Sequence, residues 1–518
     1  MSIVRLTSHK EWLTVSPVIP ELLEDLKFYH RFNETTEKTW YDRTEGKMVT
    51  RKVRGGYTGR YELLDTLSED GTFFVTYNGL KMRICDQLAV LGYETTYQRI
   101  EFPWVVPEIN KHTMRGLYPE QLKFAISLLV AGNSMGEGAT AVGKTHIIAA
   151  LIRAYWRNAN KILIVTDSQS VVRSLVRELN DILKEDGIQV GITQGSLLAP
   201  AKVTVSTTKM MYVHEPDDIS MICYDECHGA AAAEASSFLQ QFGRAVKHGL
   251  SGTISGRSDG KEKFLEAMFG PTIAEISDQE AEELGRVAPQ HVYAVSVPKG
   301  PLKHYTSDIT KERHGIWMNS CRNEIIKKVC EKAPMDKQML IFVRTIEHLE
   351  HLVKEGYLSK DFQTLHGQMR EKEREQIEKA FVNGEILRLA ATDCVKQGIN
   401  TKNLSIMVDA NWITSRTGTM QRRGRNRRTM TGKNFGVIIV FQDEWMTLNH
   451  EKELELAKME ELAIGAPEED DFKDLYKSKA DARLRRYKSA GDIITKVGSV
   501  DEICFTEDKI SEGDLFAS

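Results

Sequence analysis

A glycine-rich stretch near residue 140 has the spacing of a phosphate-binding loop. The segment from Gly138 to Thr145 fits the pattern G-x-x-x-x-G-K-[ST] and is followed by helix-like residues 147–153. Glycines let backbone N–H groups close around phosphates at a helix amino terminus, the lysine reaches the β and γ oxygens, and the threonine hydroxyl binds Mg²⁺. The loop therefore predicts a nucleoside triphosphate site, with Thr145 as a magnesium ligand. Its residues are Gly138, Ala139, Thr140, Ala141, Val142, Gly143, Lys144 and Thr145.

An acidic pair farther along the chain supplies the other half of such a site. The apolar residues 221–224 read as a buried strand, and Asp225 and Glu226 follow them directly. An aspartate at the carboxyl end of a strand can hold Mg²⁺, and the adjacent glutamate can orient and deprotonate an attacking water. An acidic pair after a strand is commonplace by itself. Its position downstream of the phosphate loop, in the same α/β segment, favours a hydrolytic site.

The elements that must position these residues alternate between short apolar strands and helices. Residues 115–295 show this alternation once, and residues 338–441 show it again. Continuous apolar runs joined by helical crossovers are typical of parallel sheets that are buried on both faces. The fold class is therefore α/β, with two tandem parallel-sheet domains.

The segments that flank this α/β core differ from it in composition and in predicted secondary structure. The first ~105 residues predict a small α+β unit in which Asn78 caps a helix and Gly92 ends it. Charged helical residues follow position 450, and the last residues are polar and expected to be disordered. The predicted domains are 1–107, an N-terminal α+β domain; 108–298, the first α/β domain; 299–450, the second; and 451–518, a helical basic extension with a disordered tail.

The overall composition excludes some classes of protein. The chain has 518 residues, of which 41% are hydrophobic and 27% are charged, and its apolar runs are too short to cross a bilayer. The amino terminus lacks the pattern of a secretory signal, and seven scattered cysteines without a Cys-x-x-Cys pair read as reduced thiols. We therefore expect a cytoplasmic protein with no membrane association.

Local charge is more informative than the net charge of −4. Two segments are strongly basic and contain interleaved aromatic residues, namely 38–60 and 473–488. Such runs are usually solvated faces, but they are also where a nucleic-acid surface would have to lie.

The motifs in residues 115–430 resemble those of superfamily 2 helicases, whose two α/β domains are RecA-like. By that resemblance, Gln121 is the glutamine that reads adenine, although Tyr118 and Glu120 stand where the family often has an arginine and an aromatic residue. Ser251-Gly-Thr253 is similar to the motif that couples hydrolysis to the nucleic-acid groove, and His228 joins it in that role. In the second domain, the resemblance implies that Thr392 contacts nucleic acid and that Asp393 and Gly398 contribute to the nucleotide site.

The segment from Gln421 to Arg428 matches the family pattern Q-x-x-G-R-x-x-R. Arg425 and Arg428 are three residues apart, so on one face of a helix both can reach the γ-phosphate and neutralise transition-state charge. The predicted catalytic set is Lys144, Asp225, Glu226, Gln421, Arg425 and Arg428, with ATP and Mg²⁺ as cofactors.

Nucleic-acid contacts in this family come largely from backbone amides and threonine hydroxyls that hold phosphates. The candidates here are Thr166, Ser168, Thr207, Thr208, Arg344 and Thr392. Asp167 lies among them where the family usually has Val-Pro-Thr, and an aspartate beside a phosphate path would repel it. We therefore leave Asp167 outside the predicted site.

Further segments, among them 268–271, 283–289, 315–323 and 365–367, resemble UvsW-type phage branch-migration helicases. The resemblance implies an ATP-dependent DNA translocase that remodels forks or junctions in recombination, replication or repair, acting as a monomer in a host cytoplasm. An RNA helicase and the motor subunit of a restriction system remain open, because the ATPase motifs do not separate the substrates. A non-enzymatic binding module would be expected to have lost Lys144, Glu226 or Arg425. The acidic tail from Glu512 to Ser518 could dock on a protein partner, or be a solvated end.

Overall fold

A computed structural model describes most of the chain, which divides into one compact unit before residue 278 and a second from Asp278 onward. The described residues are 3–9, 11–31, 36–42, 47–53, 58–100, 105–139, 142–167, 169–252, 254, 261–297, 312–392, 403–411, 423–424, 426–427, 435–443, 447–448, 472–473 and 475–505. Their side chains are included except at 27–62, 170, 233–234, 447–448 and 472–478.

The first unit begins with a small sheet whose strands alternate between buried and exposed residues. Val4, Leu6, Leu13 and Val15 are fully buried at every second position, as expected for strands with one face on a core. The sheet has the order β7-β8-β2-β1-β9, and two antiparallel pairs, β3 with β6 and β4 with β5, form separate two-stranded sheets. The elements are β1 Ile3–His9, β2 Trp12–Ser16, α1 Pro20–Leu26, β3 Lys27–Arg31, β4 Thr36–Asp42, β5 Lys47–Val53, β6 Thr58–Glu62, β7 Leu64–Leu67, β8 Phe74–Tyr77, α2 Lys81–Val90 and β9 Glu94–Arg99.

The rest of the first unit is a parallel α/β sheet. Its eight strands have the order β13-β12-β14-β11-β15-β16-β10-β17, and only the edge strand β13 is antiparallel. The elements are α3 Pro119–Ala131, β10 Ser134–Gly138, α4 Lys144–Trp156, β11 Lys161–Thr166, α5 Gln169–Leu183, β12 Val190–Gln194, β13 Leu197–Ala199, β14 Val203–Thr207, β15 Ile219–Asp225, α6 Ala233–Gln241, β16 Val246–Ser251, α7 Glu262–Phe269 and β17 Thr272–Ile276. Parallel pairing brings the carboxyl ends of β10, β11, β14, β15 and β16 to one edge, which is where such sheets bind ligands.

The small sheet and α7 share a core and a charged contact. Arg83 donates to Glu266 at 2.6 Å, and Lys263 pairs with Asp25. Gly79 also lies so close to the carbonyl oxygens of Glu266 and Ala267 that a Cβ at residue 79 would overlap them. The N-terminal sheet is therefore fitted onto the first α/β sheet through α7.

The second unit contains a seven-stranded sheet that is parallel throughout, in the order β20-β21-β19-β22-β23-β18-β26. This confirms the predicted fold class of two tandem RecA-like domains. The elements are α8 Asp278–Glu283, β18 Gln290–Val297, α9 Ser320–Lys332, β19 Gln338–Phe342, α10 Ile346–Lys354, β20 Gln363–Leu365, α11 Glu371–Val382, β21 Arg388–Ala391, β22 Leu404–Asp409, β23 Gly436–Asp443, β24 Thr447–Leu448, β25 Phe472–Lys473, α12 Leu475–Ser489 and β26 Ile493–Val497.

Two strands of this sheet lie outside the segment predicted for it. β18 pairs with β23 from Gln290 to Val297, so the boundary expected at residue 298 falls one strand too late. β26 pairs with β18, and α12 packs beside β23, so part of the predicted 451–518 extension belongs to the sheet of the second domain. The expected disordered tail lies outside the described residues after position 505.

A buried ion pair fixes the segment 315–323 within this unit. Arg322 donates to Asp443 at 2.9 Å, and both side chains are almost fully buried. Arg322 also donates to the carbonyl of Ala410, and Asn319 caps α9 by accepting from the Arg322 backbone N–H. The arginine and asparagines that resemble the helicase group are thus part of a structural network here.

No helix in the part of the chain that the structure describes is long and apolar enough to cross a membrane.

Replacing Gly79 with alanine is expected to force the N-terminal sheet away from α7. Overpacking of this kind costs about 1–3 kcal/mol, so the thermal midpoint of the full chain falls by several degrees. Calorimetry checks this, with Gly367→Ala as the control, because a Cβ at Gly367 meets nothing within 4 Å. Equal midpoints for the two variants would contradict the close contact.

Candidate nucleotide and coupling site

The phosphate loop joins the end of β10 to the first turn of α4. Gly143 has φ +82°, in the left-handed region that glycine tolerates, and α4 begins at the next residue with Lys144. Ala139 is fixed from the other side, since its N–H donates to the carbonyl of Ile276 at 2.9 Å. Thr140 and Ala141 lie outside the described residues. The loop thus presents a helix amino terminus, the arrangement that favours a bound phosphate.

Gln121 lies directly against this loop. Its side-chain oxygen accepts from the backbone N–H of Tyr118 at 3.0 Å, which caps α3. Its amide nitrogen is so close that a Cβ at Gly143 would meet it at 2.5 Å. Gly143 is therefore favoured by its backbone angle, and a side chain at this position would displace the Gln121 amide. The structure brings Gln121 to the nucleotide loop, while its reading of adenine stays a prediction.

The lysine and glutamate that are predicted to be catalytic form an ion pair. Lys144 Nζ lies 3.0 Å from Glu226 Oε1, and the two side chains are 13% and 31% exposed. Burial acts to lower the pKa of Lys144, but the charges of Glu226 and Asp225 outweigh it and raise that pKa. Burial likewise acts to raise the pKa of Glu226, but Lys144 and His228 hold it well below its usual value. Both groups therefore stay charged at neutral pH.

The second oxygen of Glu226 is held by the predicted coupling residues. Ser251 donates its hydroxyl to Glu226 Oε2 at 3.1 Å, and His228 Nδ1 lies 3.3 Å from the same oxygen and 3.0 Å from Ser251 Oγ. Glu226 itself has φ +58°, an unfavourable angle for a residue with a Cβ. These contacts fix where the carboxylate points. Thr253, the remaining predicted coupling residue, lies outside the described residues.

Asp225 and Thr145 have properties that fit a magnesium ion. Asp225 ends β15, and within the described part of the chain its Oδ1 atom is buried and accepts no hydrogen bond. Such an orphaned carboxylate oxygen is unfavourable unless a cation satisfies it. Burial also raises the pKa of Asp225 above its usual range. The hydroxyl of Thr145 donates to Glu178 Oε2 at 3.2 Å, a contact from α5 that no motif signals.

The predicted nucleic-acid threonines are less accessible than expected. The side chains of Thr166, Thr207 and Thr208 are 2%, 4% and 8% exposed, and Thr208 donates its hydroxyl to Asp167. Contact between these side chains and a nucleic-acid strand would therefore need a rearrangement. Ser168 lies outside the described residues.

The candidates in the second unit are only partly described. Arg344 is half-exposed and donates to both carboxylate oxygens of Glu312, at 2.8 and 2.6 Å. Thr392 is buried, and its N–H donates to the carbonyl of Leu365. The structure describes neither Asp393 nor Gly398.

The segment predicted to carry the catalytic arginines also contains structural ones. Arg423 is 2% exposed, donates to Asp492 at 2.6 Å and pairs with Asp278 at 2.7 Å. Arg427 is 1% exposed and donates to the carbonyl of Ala288 and to Asp278. Gln421, Arg425 and Arg428 lie outside the described residues. Arg423 and Arg427 are therefore structural, and the sequence pattern did not distinguish them from Arg425 and Arg428, whose catalytic role stays a prediction.

Comparison with known proteins gives the same class. Residues 321–430 match the helicase conserved C-terminal domain, and residues 131–256 match the type III restriction enzyme, res subunit. An ATP-dependent RNA helicase DbpA from Bacillus subtilis (strain 168) is 28% identical over 137 residues, which is 25% of this chain and 29% of that protein. The chain thus spans less than a third of the length of this curated relative.

Two solved structures are similar over most of the chain. S. cerevisiae Dbp5 bound to RNA and ADP BeF3 covers 76% of this chain and 96% of its own, with a TM-score of 0.50 and 14% identity, a likeness of fold. T4 UvsW covers 96% of this chain and 100% of its own, with a TM-score of 0.40 and 17% identity. The two family matches fall on the two parallel sheets and show that the chain contains domains of the superfamily 2 helicase type. Helicase domains of this kind imply ATP binding.

Substitutions of Arg423 and of Arg425 are expected to have different effects on stability and on activity. Arg423→Leu leaves Asp492 and Asp278 without their partner, which for buried pairs costs about 3–5 kcal/mol, so the melting midpoint falls. Arg425→Ala is expected to keep the midpoint and lower kcat for ATP by about 10³-fold, as for an arginine that stabilises phosphoryl transfer. Calorimetry and steady-state ATP hydrolysis on both variants check this. A stable Arg423→Leu protein would contradict the structural role.

Proposed function

We propose that this chain is an ATP-driven motor that moves on nucleic acid and remodels branched DNA. The observation that carries the proposal is the intact hydrolytic site, in which Lys144, Asp225 and Glu226 meet at one edge of the parallel sheet. A protein that retained the fold only to bind a partner would have no need to hold Glu226 at an unfavourable φ.

Each residue of the site has a role in this proposal. Bound Mg²⁺ would neutralise charge on the phosphates of ATP, with Asp225 and Thr145 holding it. Lys144 moves from Glu226 to the phosphate oxygens, which frees Glu226 to orient and deprotonate the attacking water. Ser251 and His228 keep the carboxylate aimed while this happens. Arg425 and Arg428 are proposed to neutralise charge on the γ-phosphate in the transition state.

Hydrolysis drives movement if the ATP-bound and ADP-bound states bind nucleic acid with different affinity. A ligand shifts the equilibrium between two conformations only by the difference in its affinity for them. The basic segments 38–60 and 473–488 are proposed to hold a second duplex arm. The choice of branched DNA rests on the motifs that resemble UvsW-type helicases. RNA is the second candidate, favoured by the similarity to an RNA helicase over 137 residues.

ATP hydrolysis by the full chain, without polynucleotide and with single-stranded DNA, forked DNA, a four-way junction and RNA, tests the proposal. Wild type is expected to hydrolyse ATP fastest with forked or four-way DNA. The rate of ATP hydrolysis by Glu226→Gln is expected to be about 10²–10⁴-fold lower than that of wild type, which is the usual contribution of a general base.

Stimulation by RNA alone would replace DNA with RNA as the substrate, and stimulation by none of the polymers would overturn the motor assignment. Asp218→Asn serves as the control substitution in the same unit, because it removes a carboxylate that pairs with Lys161 and not with Lys144, Thr145 or Glu226.

A further inference from the structure

Asp167 lies at the carboxyl end of β11, between two neighbouring strands of the sheet. Its Oδ1 atom accepts from the hydroxyl of Thr208 at 2.5 Å and from the hydroxyl of Tyr224 at 2.5 Å. The two hydroxyls are themselves 2.6 Å apart. Thr208 follows β14 and Tyr224 is in β15, so one carboxylate ties together the ends of three adjacent strands.

The other oxygen of Asp167 reaches the segment after the acidic pair. Gly229 is so close to Asp167 Oδ2 that a Cβ at residue 229 would overlap it. The φ of Gly229 is not positive, so the glycine is needed here for close approach rather than for its backbone angle. The N–H of Gly229 donates to the carbonyl of Glu226 at 3.0 Å, which links this contact to the catalytic glutamate.

The chemistry of this cluster favours a fixed geometry. Tyr224 is fully buried, and burial together with the charge of Asp167 raises its pKa far above the usual value, so it remains a neutral donor. Hydrogen bonds to a carboxylate are stronger than those between neutral groups and restrict both partners. The loops after β11 and β14 carry the predicted nucleic-acid contacts, and Tyr224 precedes Asp225 directly.

We infer that Asp167 is a positioning residue that couples polynucleotide bound at the loops after β11 and β14 to the orientation of Asp225 and Glu226. The inference rests on the proposed function and names the route by which nucleic acid would stimulate hydrolysis. A displacement of either loop is transmitted through Asp167 to Tyr224 on one side and Gly229 on the other. Asp167 touches neither ATP nor the attacking water in this account.

The test measures kcat for ATP with and without saturating single-stranded DNA, forked DNA and RNA in the full-length protein. Asp167→Ala is expected to lower the stimulated kcat by about tenfold or more, while the basal rate changes by less than about twofold. Asp167→Asn keeps the shape of the side chain and loses its charge, so its stimulated kcat is expected to lie between those of wild type and Asp167→Ala. The Kd for polynucleotide is expected to stay close to that of wild type, because Asp167 acts after binding.

Tyr224→Phe removes one donor to Asp167 and supplies a second variant if Asp167→Ala fails to fold. It is expected to lower stimulation on its own. In the Asp167→Asn background it is expected to cause no further loss of stimulation, because the two residues act through the same contact. Tyr155→Phe is the matched control, since Tyr155 is also a buried tyrosine of the first unit, but its hydroxyl contacts His248. This control is expected to keep wild-type stimulation.

Three results would overturn the inference while the proposed function stands: wild-type stimulation in Asp167→Ala, an equal fall of basal and stimulated rates, or tighter polynucleotide binding by Asp167→Asn with greater stimulation. The last would place Asp167 on the phosphate path. If wild type is stimulated by none of the polymers, the proposed function fails and this inference fails with it.

Discussion

The ion pair between Lys144 and Glu226 is the interaction on which the site depends. Two charges that are mostly removed from water are unfavourable unless they meet, and here they meet at 3.0 Å. In the proposed function each of them has a different partner during hydrolysis, because the lysine would reach phosphate and the glutamate would reach water. The ion pair therefore holds both charged side chains in position until a triphosphate competes for the lysine. The parallel sheet makes this possible by ending β10 and β15 at the same edge.

The remaining contacts at this edge restrict how the glutamate can respond. Ser251 and His228 hold one oxygen of Glu226 from β16 and from the turn after β15, and Asp167 anchors the neighbouring strand ends through Tyr224. A site built on strand ends and short turns is held by the packed sheet beneath it. The N-terminal sheet joins the same body, because α7, which it contacts, lies between β16 and β17 in the chain.

The parts of this arrangement that sequence could predict are those with local patterns. Lys144 and Glu226 were found because a phosphate loop and an acidic pair each occupy a few consecutive residues. β18 and β26 were assigned outside the second sheet because parallel strands pair out of chain order, which no local pattern records. An aspartate beside a phosphate path is expected to repel it, so Asp167 falls outside the predicted site. Its partners lie 41 and 57 residues away, and no local pattern shows them. A tyrosine hydroxyl at the end of an otherwise apolar strand was the one available signal. The structural role of Arg423 follows from its burial, which the sequence pattern does not show.

Calorimetric binding of Mg²⁺-ATP to wild type, Glu226→Gln and Lys144→Ala tests the central claim most directly. If the ion pair stores the lysine for phosphate, Glu226→Gln frees it and binds ATP more tightly than wild type. Lys144→Ala should bind ATP about tenfold more weakly or worse, the loss expected for one charge-assisted contact. Weaker ATP binding by Glu226→Gln than by wild type, or unchanged binding by Lys144→Ala, would contradict the account.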